Sequence, residues 1–154
     1  MDKEQEDVRA FHKKFDILNN DQPTMLTRRK LQERIECMQE ELDEFKNAVF
    51  NQDFAEQADA LIDLVYFAKG TAVMMGLPWD KLWDDVQRAN MEKVRGVGKR
   101  GHAVDMVKPE GWQPPNGLRI LTNSGFDIHD YLTNVDGTFH FDESKCADDK
   151  VAGE

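Results

Sequence analysis

Glu40-Glu41-Leu42-Asp43-Glu44, followed twelve residues later by Glu56-Gln57-Ala58-Asp59 with Asp63 one turn further, decides how this chain is read. Both runs lie inside strongly helical patterns. Glu41 and Glu44 are three apart, as are Glu56 and Asp59, and residues three apart share a helix face. Asn51-Gln52-Asp53 between them is a short turn, which sets the two helices side by side and antiparallel. The carboxylate pairs then converge. Such a group repels itself unless cations lie between its members, and hard divalent ions with oxygen ligands, Mg²⁺ above all, suit it.

The patterns around the two runs support this. Thr27 is placed to cap a helix in which Leu31, Ile35, Met38, Leu42, Phe45 and Val49 follow at spacings of three and four. Its middle is crowded with acids, a like-charge cost that asks for compensation. Asp53 caps the next helix, which runs to about Met75 and closes at Gly76. There Glu56, Asp59, Asp63 and Tyr66 form a polar stripe on an otherwise apolar helix, whose expected core is Phe54, Ala58, Leu61, Ile62, Val65 and Ala68. Acids on a mostly buried helix are expensive unless paired or metal-bound.

Outward from this hairpin, Val8, Phe11, Phe15 and Leu18 make an apolar stripe over residues 4–18. His12 beside it reads either as a boundary histidine or as a contact to a ligand. Pro78 opens a further helix with Trp79, Leu82, Trp83, Val86 and Ala89 on one face. The class is therefore all-α, a four-helix bundle. Residues 90–101 are basic and glycine-rich. They are a solvated linker or a phosphate-binding loop in which Lys93, Arg95, Lys99 and Arg100 neutralise oxygens. From Val104 the pattern is irregular. The stretch 108–117 is too rich in proline for helix and should wrap over the bundle, anchored by Trp112. A small hairpin is possible around Asp136-Gly137, and the last ten residues read as disordered.

Composition narrows the function. With 154 residues the chain has room for one domain and a core. A net charge of −10 argues against a general nucleic-acid binder but not against a nucleotide enzyme, because metal ions bridge acids to phosphates. Cys37 and Cys146 form no metal or redox motif, and no signal peptide or membrane span is visible, so cytoplasm is the simplest compartment. Converging acids plus a downstream basic segment suit metal-assisted hydrolysis of a polyphosphate.

These residues resemble the MazG-like all-α nucleoside triphosphate pyrophosphohydrolases, a superfamily that includes dimeric dUTPases, dCTP pyrophosphatases and phosphoribosyl-ATP pyrophosphohydrolase. Glu40 to Glu44 matches its EExxE, Glu56 to Tyr66 its ExxD helix, and Asn90-Met91-Glu92-Lys93 its Asn-x-x-Lys segment. Lys108-Pro109-Glu110-Gly111-Trp112 resembles a tail of some members. The likeness covers about residues 5–120, leaving 121–154 as an extension with no assigned role.

The resemblance implies that Glu41, Glu44, Glu56 and Asp59 ligate Mg²⁺, two or three ions per site with Mn²⁺ able to substitute. Glu40 would ligate metal or orient water, and Asp63 would ligate or support. Asn90 and Lys93 would reach the phosphates, with Arg95, Lys99 and Arg100 as weaker candidates. His12, Phe15, Trp79 and Trp83 are candidates for the base. The products would be a nucleoside monophosphate and pyrophosphate. The resemblance also implies a dimer or a dimer of dimers whose sites are completed across the interface. The compact form with a long tail resembles phage-encoded members, some of which hydrolyse dGTP, so dGTP or GTP is the first expectation, ahead of dUTP and dCTP. Phosphoribosyl-ATP is a competing substrate. A non-catalytic helical interaction module is the alternative of another class.

Overall fold

In the computed structural model, residues 2–96 and 105–129 are described. Five helices and a two-stranded sheet follow one another as α1 (Lys3–Lys14), α2 (Arg28–Phe50), α3 (Phe54–Met74), α4 (Trp79–Met91), β1 (Val94–Gly96), β2 (Asp105–Val107) and α5 (Gly117–Asn123). Local chemistry starts the helices where the sequence signals it. Asp2 accepts from Gln5 N at 2.8 Å, Thr27 from Lys30 N at 3.2 Å and Asp53 from Glu56 N at 3.1 Å. Each cap satisfies an amide that the helix itself leaves without a partner.

The α2–α3 hairpin is the centre of the fold, and α1 packs across α3. Gln52 turns the chain between α2 and α3 with φ +57. After α3, Gly76 takes φ +61, and a Cβ there would come within 2.1 Å of Gln22 O. The loop after α1 is sewn to the same end: Asn20 Nδ2 donates to Met74 O at 2.6 Å, and Thr24 N to Met75 O at 2.9 Å. Full burial is concentrated here, at Ala72, Val73 and Met74 together with Val8 of α1.

The all-α class is as expected, and the fourth helix is present, bent 120° from α3. Other expectations are corrected. The expected core of α3 is largely uncovered, with Phe54 82% and Ile62 66% exposed, and Trp83 of α4 is 60% exposed. Phe11, Phe15 and Leu18, expected to be core with Val8, are also exposed. The apolar residues do lie on amphipathic helices, but among the described residues these faces are left uncovered. The first helix stops at Lys14, short of Leu18, because Asp16 turns left-handed at φ +56.

Regular structure also continues past residue 91. Val94–Gly96 pairs antiparallel with Asp105–Val107 in a two-stranded sheet. A short helix, α5, sits in the stretch read as irregular, capped by Asn116, which accepts from Arg119 N at 3.1 Å. Trp112 anchors the wrapping segment as expected, its indole N–H donating to Ala89 O at 2.7 Å. The hairpin suggested at Asp136-Gly137 and the tail lie outside the described residues. Among the described residues no single helix is long and apolar enough to cross a membrane.

Candidate active site

Two side-chain bonds fix how α2 and α3 face each other. Near the closed end of the hairpin Gln57 Nε2 donates to Ala48 O at 3.4 Å, and near the open end Arg34 Nε donates to Thr71 Oγ1 at 3.0 Å. Antiparallel register between these points sets Glu40, Glu41 and Glu44 against Asp59 and Asp63.

Glu41 shows what this costs. Its Oε2 is buried and has no hydrogen-bond partner. Loss of water pushes its carboxyl above the usual glutamate range, and the charges of Glu44, Asp63, Glu40 and Asp59 push in the same direction. The charges that weigh most on it are all acids. A buried carboxylate oxygen without a donor is unfavourable unless a cation supplies what the protein does not. Glu56 lies one turn before Asp59 on the same stripe and is exposed.

The donor set is all oxygen, which suits Mg²⁺ or Mn²⁺, and the partnerless Glu41 oxygen is where such an ion fits. As the side chains lie, no group of three among the described residues is already placed to hold one ion. All of these acids except Glu41 are exposed.

The basic residues stand elsewhere. Lys93 Nζ donates to Asn90 Oδ1 at 2.8 Å at the end of α4 and lies 5.9 Å from the Trp112 ring. Arg95 is exposed on β1, paired in register with Met106. Among the described residues, Asn90, Lys93 and Arg95 make no bond to the acids of α2 and α3. Lys99 and Arg100 lie outside the described residues.

Of the aromatic candidates, Phe15 is close to the acidic stripe. It packs on Phe11 with ring centroids 4.7 Å apart, and Phe11 meets Tyr66 edge-on at 5.6 Å. Tyr66 is one turn past Asp63. Trp79 and Trp83 stack at 6.4 Å beside a cavity of about 750 Å³ that Val65 and Lys69 also line. Val65 is two residues from Asp63, about 200° around α3, so this cavity opens on the side away from the acids. Lys69 is held there by Asp2 and Glu4, each at 2.6 Å.

His12 is 3% exposed, and its Nδ1 lies 3.2 Å from Leu18 O. Burial is the main force lowering its pKa, and the nearby Arg34 adds to it. That environment is one of packing between helices. Sequence reasoning gave Arg34 no role and placed Phe11 only on an apolar stripe, because their position beside α3 depends on how α1 and α2 cross it.

The all-α fold agrees with the MazG-like superfamily, to which the phosphoribosyl-ATP pyrophosphohydrolase family belongs. The phosphoribosyl-ATP pyrophosphohydrolase family model matches residues 8–90, more than half of the chain. The chain belongs to that family, and is thus a pyrophosphohydrolase acting on a nucleotide. A search of the curated proteins finds no significant match.

Proposed function

We propose that the chain hydrolyses a nucleoside triphosphate, dGTP or GTP before dUTP or dCTP, to the monophosphate and pyrophosphate, with Mg²⁺ as cofactor. The observation that carries this is the buried, partnerless Oε2 of Glu41 among Glu40, Glu44, Asp59 and Asp63. Bound divalent ions would polarise the phosphoryl group and lower the pKa of the attacking water. Glu41, Glu44, Glu56 and Asp59 would hold the ions. Glu40 would orient the water, and Asp63 would support the ligands from the next turn of α3. Water adds, the α–β phosphoanhydride breaks, and charge develops on the departing pyrophosphate.

Asn90, Lys93 and Arg95 are the groups to stabilise that charge, with Lys99 and Arg100 beyond them. Among the described residues they make no bond to the acids, and the family resemblance implies sites completed across an interface, so a second copy would supply them, in a dimer or a dimer of dimers. The uncovered apolar faces of α3 and α4 support this, Ile62 and Trp83 above all. Phe15 with Phe11 and Tyr66 would take the base, ahead of His12 and Trp83. The guanine preference rests on likeness to phage-encoded members, and the chain would then work in the host cytoplasm.

The family match favours phosphoribosyl-ATP as the second reading. Pyrophosphate release from a panel of nucleoside triphosphates alongside phosphoribosyl-ATP, with and without Mg²⁺, tests both. Turnover of phosphoribosyl-ATP alone replaces the first reading by the second. A chain that turns over none of them is a binding module and not an enzyme of either kind.

A further inference from the structure

Several other cations among the described residues have acidic partners. Lys69 has Asp2 and Glu4, Arg9 has Asp21, and Arg88 has Asp85 and Glu92. Arg34 has no carboxylate within ion-pair distance among the described residues, in a chain of net charge −10. Burial works against its charged form. The fold nonetheless holds it firmly: Nε donates to Thr71 Oγ1 at 3.0 Å, Nη2 donates to Phe67 O at 2.9 Å, and the Phe67 ring lies 5.0 Å beneath. Gly70 leaves it room, since a Cβ there would sit 3.0 Å from Nη2.

A guanidinium has five N–H donors in a rigid fork. The two bonds use two of them. Adjacent N–H groups of Nη1 and Nη2 remain, with no partner among the described residues.

Position gives this fork a role. Arg34 and Glu41 are seven residues apart on one face of α2, two turns or about 10.5 Å along the helix. An extended nucleotide spans that distance from its α-phosphate to the outer edge of its base. Phe11, Phe15 and Tyr66 form an aromatic group one turn from Asp63, suited to stack a base.

We propose that Arg34 is a specificity-determining residue whose open fork receives the O6 and N7 acceptors of a 6-oxopurine, while the phosphates lie on the acids of α2 and α3. This rests on the reading of the chain as a nucleoside triphosphate pyrophosphohydrolase. Adenine presents an amino donor where guanine presents O6, so the same fork rejects it.

The test is calorimetric titration of the full chain with dGMP, dIMP, dAMP and 7-deaza-dGMP, which needs no turnover. The wild type is expected to bind dGMP and dIMP about 10- to 100-fold tighter than dAMP, with 7-deaza-dGMP weakened toward dAMP. Arg34→Gln removes the preference, and Arg34→Lys, which keeps the charge but not the fork, removes most of it. Wild type that binds dGMP no tighter than dAMP or 7-deaza-dGMP overturns the inference, whatever the variants do. So do variants that weaken dGMP and dAMP alike, because that marks a structural role. Base-selective binding by a chain that releases no pyrophosphate overturns the reaction and leaves the assignment of Arg34 standing.

Discussion

Arg34 on α2 donates from Nε to Thr71 Oγ1 on α3 at 3.0 Å, and this bond marks the register in which Glu41 comes to face Asp63. Seven residues up α2 and eight down α3 lead from the one pair to the other. The same contact that locks the open end of the hairpin therefore aligns the acids at its middle.

Gly70, next to Thr71 on α3, faces Arg34 and His12. A glycine inside a helix ordinarily gains about 0.5–1 kcal/mol on replacement by alanine. Here a Cβ would lie 3.0 Å from Arg34 Nη2 and 3.2 Å from the buried His12 Nε2. Arg34 is tied by two bonds and His12 is enclosed, so neither yields cheaply. Gly70→Ala is expected to lower stability by about 1–3 kcal/mol. Thermal melting of the variant checks this, and a raised Tm would show that the two side chains move aside freely.

Loss of one carboxylate from the acid group should stop turnover without unfolding the chain. Substitution of groups that merely support metal ligands costs about 10–100-fold, so Glu41→Gln or Asp59→Asn should lower kcat/KM by at least about 100-fold. Circular dichroism should remain that of the wild type. Full activity in both variants would remove these residues from the site.

The raised carboxyl of Glu41 also predicts how stability depends on pH. Below the ordinary glutamate value of about 4.5 this group is protonated whether the chain is folded or not, and adds nothing. As pH rises past that value the unfolded chain releases its proton first, so the folded state loses stability until Glu41 itself ionises. In chelator at pH 7, Glu41→Gln should thus melt a few degrees above wild type, and the difference should vanish near pH 4. Added Mg²⁺ should raise the wild-type Tm more than that of the variant. A variant less stable than wild type at pH 7 in chelator would contradict the burial cost.

Self-association is expected through the uncovered apolar face. Ile62 and Val65 on α3 and Trp83 on α4 are 66%, 47% and 60% exposed. Burying such side chains gains about 1.5–3 kcal/mol each. Sedimentation equilibrium should find the wild type as a dimer or tetramer, and Ile62→Glu should shift it toward monomer and lower activity with it. A monomeric, fully active wild type would confine the site to one chain.

The hairpin, its caps at Thr27 and Asp53, and the placing of the acids on shared helix faces were legible in the sequence, because each follows from interactions within a few residues. Helical periodicity is local, and so is the preference of a side-chain oxygen for the first free amides of a helix. The anchoring of Trp112 was also legible, since a large aromatic in a proline-rich strap has few other uses. What only the tertiary structure decided depends on groups distant in sequence. It buried one oxygen of Glu41 while leaving the other acids of the group exposed, and bent α4 120° from α3. It also set Arg34 against Phe67 and Thr71, with no carboxylate within ion-pair distance among the described residues. Those outcomes come from how helices cross and what each crossing shields from water, and a residue's local pattern carries no record of which distant surface will cover it.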